Sequence, residues 1–279
     1  MLDRATDDTD TTGPQADKGG LRKVEFRGAG FTPEPRRHSG WISFLLVIAL
    51  WQLLGSLKLV NPLFLPTPVA ILHAIYQLAL SGALWQHLSY SIMRIGTGWA
   101  LGSFAGIIVG FGIGLSNLAR SVGITFISAL FPIPKIALLP LLILWLGIGE
   151  EPKIATIALG VFFSTAISVY SGVDAVPRNL IRMAQSFNVP FHAIVRRVIW
   201  PGALPSILAG FRITASIALL LVVSAEMIGA QYGIGAFVLQ AGNLMQTDQL
   251  LAGVVILSLL GLAVGWLINR MEARLLHWR

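Results

Sequence analysis

Residues able to do chemistry are few in this chain, and one stretch gathers them. Asn179–Pro205 reads NLIRMAQSFNVPFHAIVRRVIWPGALP. Arg178, Arg182, Arg196 and Arg197 crowd it, with Gln185, Ser186 and Asn188, and Pro190, Pro201 and Pro205 punctuate it. The chemistry these residues offer is docking onto another protein surface. Elsewhere the ionisable residues stand apart. Lys135 lies deep in an apolar run, between Pro134 and Pro140, and Ser224 and Glu226 lie near the end of another. An ionisable group at membrane depth is a functional candidate by default; a lysine that snorkels or pairs structurally is the bland alternative. The five His are scattered and Cys is absent, so no metal site is expected, because ligands must converge. No G-x-x-x-x-G-K-[ST], G-x-S-x-G or H-E-x-x-H occurs, which excludes a phosphate loop, a nucleophile elbow and a zinc-protease helix. The chain does not read as an enzyme, and no cofactor is expected in it.

The elements that position these residues are apolar. The chain has 279 residues, 55% hydrophobic and only 12% charged, with a mean hydropathy of +0.74. Soluble domains average about 25% charged residues. Several runs approach the roughly 20 residues a helix needs to cross about 30 Å of hydrocarbon. A β-barrel needs alternation, and these runs do not alternate. The class expected is an all-α, polytopic transmembrane bundle of about six spans. The net charge of +7 sits in loops beside spans, as the positive-inside pattern requires, so nucleic acid is not an expected partner; membrane lipid is.

In order, residues 1–40 read as a mostly disordered cytoplasmic tail. Spans are expected near Trp41–Leu59, Leu88–Leu115, Ile124–Leu146, Ile154–Val173, Ile207–Ile228 and Leu250–Ile268. A short amphipathic helix, Val69–Leu80, follows the proline-rich NPLFLPTP, and Gly229–Thr247 reads as a loop. With both termini and the 174–205 loop on the cytoplasmic side, sixteen of the twenty Lys and Arg residues lie inside. Lys58, Arg94, Lys135 and Lys153 are the remainder.

The second span carries Gly98, Gly102, Gly106, Gly110 and Gly114, an unbroken four-residue repeat. Positions i and i+4 share a helix face, so these glycines form a groove for close approach of another backbone. Whether that partner belongs to the same chain stays open at this point.

The 174–205 loop resembles the "EAA" loop of permease subunits in binding-protein-dependent ABC importers. The family pattern is Glu-Ala-Ala, three residues, Gly, nine residues, Ile, one residue, Leu-Pro. It falls here on Arg182, Met183 and Ala184, then Gln185, Ser186 and Phe187, then Asn188, Val198, Trp200 and Pro201. Arg182 reverses the charge of the family Glu, so the partner surface or the local pairing differs. Asn188 replaces Gly, and Asn is the next residue most able to adopt a left-handed conformation. The blocks LPTPVAIL, LWQHLSYSIMRIGTGWALG, PIPKIALLPLLILWLGIGEEPKI and AEMIGAQYGIGAFVLQAGN are similar to the nitrate/sulfonate/taurine-type branch, and the likeness covers most of 41–279.

The resemblance implies a type I, MetI-like permease fold in a bacterial cytoplasmic (inner) membrane. It implies a second permease chain as homodimer partner, two ATPase subunits that bind ATP and Mg, and an external binding protein delivering a small anion such as an aliphatic sulfonate, taurine or nitrate. Arg182 to Asn188 and Pro201 become ATPase-coupling residues. Pro134, Lys135, Pro140, Ser224 and Glu226 become candidates for the translocation route. Leu180, Ile181, Ala184 and Phe187 supply apolar docking contacts, and Pro190 and Pro201 bracket a second loop helix leading into the fifth span. The competing reading is a secondary transporter or channel, a class that tends to show broken-helix repeats and ionisable relays.

Overall fold

The computed structural model describes residues 39–276. The tail expected over 1–40 lies outside them, apart from the first helical positions. The chain divides into two units, residues 1–46 and 47–279. Helix α1 (Ser39–Ser56) begins in the first and ends in the second.

Helix α2 (Pro68–Leu80) starts where proline chemistry places it. Thr67 caps its first turn by accepting from the Ala70 N–H at 3.2 Å, and Pro68 takes the first helical position, where no N–H is required. Its Ile71 and Ala74 are buried with Ala252, while Val69, Leu72 and Tyr76 are exposed. The expected amphipathic helix is therefore present, and it leans on the last long helix.

Helices α3 (Ala83–Leu115) and α6 (Glu151–Asp174) form the centre of the bundle. The glycine repeat of α3 meets α6 of the same chain. A Cβ added at Gly98 would lie 2.8 Å from Ile157 Cβ, at Gly110 2.6 Å from Val169 Cβ, and at Gly114 2.7 Å from Val173 Cβ. At Gly102 it would run into the Ala158 carbonyl. Helix α6 buries its other face on α9 (Trp200–Gly229), where Gly172 and Gly210 admit Ala203 and Ser168. Val161, Ala166 and Val169 are consequently wholly enclosed.

The expected third span is not one helix. It consists of α4 (Asn117–Leu130) and α5 (Leu139–Leu146), bent by 85°. Pro134 has no N–H to offer the Leu130 carbonyl, so the helix stops. The Lys135 ammonium takes over: its Nζ donates to the carbonyls of Leu130 at 3.0 Å, Phe131 at 2.6 Å and Ile133 at 2.8 Å. It also stands 4.7 Å from the centroid of Phe163 on α6. Pro140 sits in the first turn of α5, where it does no harm.

Among the described residues four helices are long and apolar enough to cross a membrane, five if the bent pair is one crossing. The apolar stretch of α1, Trp41–Ser56, falls in the shorter class. The third long helix runs unbroken from Phe191 to Gly229 over 39 residues. The fourth, α11 (Thr247–Leu275), extends past the expected sixth span into the basic tail. The stretch Gly229–Thr247, read as a loop, contains helix α10 (Ile234–Asn243). Ile234, Phe237 and Ala241 give it a buried face at helical spacing, and its glycines obscured that period.

Candidate functional site

Two polar constellations occupy opposite ends of the long Phe191–Gly229 helix. The first is the basic loop. Helix α7 (Arg178–Ser186) closes with Asn188 in the left-handed region at φ +56°. The Asn188 N–H donates to the Gln185 carbonyl at 2.9 Å and the Val189 N–H to the Ala184 carbonyl at 3.1 Å. This is the paired closure that a left-handed residue permits. Pro190 then opens α8 (Phe191–Ile194).

The loop is seated on the bundle by one face only. Ile181, Ala184 and Val189 pack against a buried cluster of Val173, Val176, Ile194, Ile199 and Ala203. Leu180, Met183 and Phe187 face outward, Met183 at 56% and Phe187 at 76% exposure. The four apolar residues expected to dock together are thus divided between an inward pair and an outward stripe. Arg182, Gln185 and Ser186 are exposed beside that stripe.

Pro201 does not end the second loop helix, as expected of a bracketing residue. Val195–Ile199 forms a π-helical turn, with the Trp200 N–H bonding back to the Val195 carbonyl, and α9 continues from it. Pro201 lacks the N–H that the Arg197 carbonyl would receive, and its ring crowds that carbonyl. The wider turn absorbs both problems. Trp200 stacks on Phe111 of α3 at 5.1 Å, which fixes the junction.

The second constellation lies at the far end of α9. The Arg94 side chain is 1% exposed and that of Glu226 is fully buried. Arg94 Nη1 donates to Glu226 Oε1 at 2.8 Å and to the Tyr232 carbonyl at 2.6 Å. Its Nε and Nη2 both donate to the Glu150 carboxylate. Ser91 donates its hydroxyl to Glu226 at 2.8 Å and accepts the Ile234 N–H at 2.9 Å. The Gly235 N–H donates to Glu226 Oε2 at 2.8 Å. Lys153 Nζ lies 3.7 Å from Glu150 and donates to the Gly149 carbonyl at 2.6 Å. The Arg94 guanidinium holds the Glu150 carboxyl below its ordinary range, opposed by partial burial. Buried ion pairs are tolerable only when every donor and acceptor finds a partner, and here the named groups do.

The sequence-selected residues scatter over these places. Glu226, a route candidate, belongs to the ionic cluster. Lys135 caps the α4–α5 bend, with Pro134 and Pro140 beside it. Ser224 is half-buried and donates to the Leu220 carbonyl at 3.0 Å. Arg94, Glu150, Lys153 and Ser91 were not selected. A signal existed for two of them, because Ser91 and Arg94 continue the face of the glycine repeat at intervals of three and four residues. Among the described residues no group of three metal-ligating side chains gathers.

The family described as binding-protein-dependent transport system inner membrane component matches residues 102–277. SsuC of Bacillus subtilis (strain 168), named for aliphatic sulfonates transport, is 36% identical over 265 residues, covering 94% of this chain and 96% of that one. The taurine transport system permease protein TauC of Escherichia coli (strain K12) is 35% identical over 238 residues, covering 84% and 86%. An inward-facing form of the MetNI methionine ABC transporter shares the fold at a TM-score of 0.57 and 20% identity, covering 70% of this chain and 95% of that one. An all-helical bundle, two constellations joined by one long helix and these likenesses converge. The chain belongs to the binding-protein-dependent transport system inner membrane components, and is a non-enzymatic permease subunit of the sulfonate and taurine branch of ABC importers.

Proposed function

We propose that two copies of this chain form the pathway of an ATP-driven importer for a small organic anion of the aliphatic sulfonate or taurine kind. Two separate ATPase subunits, which hold ATP and Mg, dock on the 174–205 loop, and a binding protein delivers the solute from the other side. Both termini and that loop lie in the cytosol. Lys and Arg concentrate at that end, as the positive-inside pattern requires.

One observation carries the reading. The outward stripe Leu180, Met183 and Phe187 is mounted on a loop whose other face is packed into the bundle, and the next helix runs 39 residues without a break. A groove on an ATPase closing around that stripe would move α9 as a lever. At about 1.5 Å per residue such a lever reaches nearly 60 Å. The route runs beside α5 and α9, with Pro134, Lys135, Pro140, Ser224 and Glu226 in the elements that border it.

The test is reconstitution. The chain, co-produced with its ATPase and its binding protein in proteoliposomes, should take up labelled taurine or ethanesulfonate only with ATP and loaded binding protein. Uptake without ATP, driven by an ion gradient, would sink the proposal in favour of a secondary transporter.

A further inference from the structure

The ionic cluster is charge-balanced: Arg94 and Lys153 face Glu150 and Glu226. The two carboxylates are held very differently. Glu226 is moulded into the fold. It has Ser91, Arg94 and Gly235 as partners, and a side chain at Gly233 would strike its carboxylate. Glu150 sits at the end of a four-residue link that begins at Gly147, φ +86°, a backbone state suited to glycine. Its side chain is 34% exposed. It nonetheless takes both free donors of the Arg94 fork. Beside it, Lys153 lines an apolar cavity of about 220 Å³ with Leu139, Ile143, Ile148, Pro152 and Ala225.

We infer that Glu150 occupies, as a tethered substitute, a binding site for a small monoanion with a short apolar tail. The anionic head takes the Arg94 fork and Lys153 Nζ, and the tail enters the cavity. A guanidinium fork binds any planar or trigonal pair of oxygens, carboxylate or sulfonate alike. Once Glu150 swings away on its link, Arg94, Lys153 and Glu226 leave a formal charge of +1. Uncompensated charge in a low-dielectric site is costly, so departure of Glu150 and arrival of an anion are coupled. The cavity's apolar walls favour an alkyl chain over water. This site deepens the importer reading given above and rests on its anionic solute.

The experiment uses the full chain purified in detergent, with propane-1-sulfonate as probe and propan-1-ol and chloride as controls. Binding is read from the thermal midpoint and by calorimetry. Glu150→Ala should bind propane-1-sulfonate at least tenfold more tightly than wild type, because its own carboxylate no longer competes. Glu150→Gln, which keeps the side-chain shape and is the milder change for folding, should fall between them. Adding Arg94→Lys to either variant should remove the gain. Equal sulfonate affinity in wild type and Glu150→Gln, or stabilisation by propan-1-ol alone, overturns the site. Labelled-taurine uptake by the wild-type assembly separates the two readings. Uptake without any effect of the Glu150 variants on binding overturns this site alone, and absence of both uptake and binding overturns the anionic-solute reading as well.

Discussion

Gly106 of α3 and Thr165 of α6 are in backbone-limited contact. A Cβ at Gly106 would lie 2.7 Å from Thr165 Cβ and 2.8 Å from the Phe162 carbonyl oxygen. The obstacle includes backbone, so no rotamer change relieves it. Gly112, two turns of sequence away and off the repeat, has no such neighbour within 4 Å. Gly106→Leu is therefore expected to prevent assembly of the bundle, while Gly112→Ala folds normally. Gly112→Ala exchanges the poorest ordinary helix former for the best in soluble hosts, worth about 1 kcal/mol. Yield of monodisperse protein in detergent checks both. Equal yields would mean that the α3–α6 contact does not decide folding.

Asn188 turns the chain between α7 and α8 at φ +56°. Asn188→Gly should be neutral or mildly stabilising there. Asn188→Val should cost about 1–2 kcal/mol, because a β-branched residue resists the left-handed region. The thermal midpoint of the two variants against wild type measures the difference.

Phe187 and Arg182 make different contacts with whatever docks on the loop. Phe187 is largely exposed in this chain, and full burial of such a ring is worth about 1.5–3 kcal/mol. Phe187→Ala should abolish the stimulation of ATP hydrolysis by loaded binding protein, or release the ATPase altogether. Arg182→Ala should be milder and more sensitive to salt, as rim charges contribute little. ATPase activity of the reconstituted assembly, with and without loaded binding protein, decides. Full coupling in Phe187→Ala would place ATPase docking elsewhere.

Lys135 caps three carbonyls at the α4–α5 bend. Hydrogen bonds from a charged donor contribute about 1.5–3 kcal/mol each when buried, and less at this half-exposed position. Lys135→Met should lower the thermal midpoint, with the loss recovered in Lys135→Arg, which keeps the donors. If Lys135→Met instead keeps its midpoint and changes solute selectivity, the ammonium faces the route.

Glu150 lends the ionic cluster a pH dependence of known sign. Its carboxyl is held below the ordinary range, first by the hydrogen bonds from Arg94. A depressed carboxylate contributes stability that is complete above its unfolded pKa and is lost as pH falls through its folded one. The thermal midpoint should therefore drop on acidification below about pH 4, the ordinary glutamate value. In Glu150→Gln that part of the drop should vanish. A profile unchanged by the substitution would show that other carboxylates govern acid unfolding.

Much of this protein was legible because two of its constraints are one-dimensional. A bilayer demands long apolar runs, and their lengths and flanking charges can be read directly, which gave the helical class and the long helices α3, α6, α9 and α11. A helix face demands a fixed interval, which gave the glycine repeat. Asn188 could be placed at a left-handed turn because few other residues tolerate one. The third span could not be read as broken from hydropathy, since α4 and α5 are both apolar. Only the loss of the Leu130 partner at Pro134, and the turning of Lys135 onto the freed carbonyls, made the 85° bend. The partner of the glycine face was likewise undecided until α6 was seen against it. The ionic cluster lay furthest from view. Arg94, Glu150 and Glu226 are separated by tens of residues, and each alone reads as a stray charge near a membrane. They form a single site because close α3–α6 and α6–α9 packing brings three helix ends together, a condition set by tertiary structure and by no local pattern.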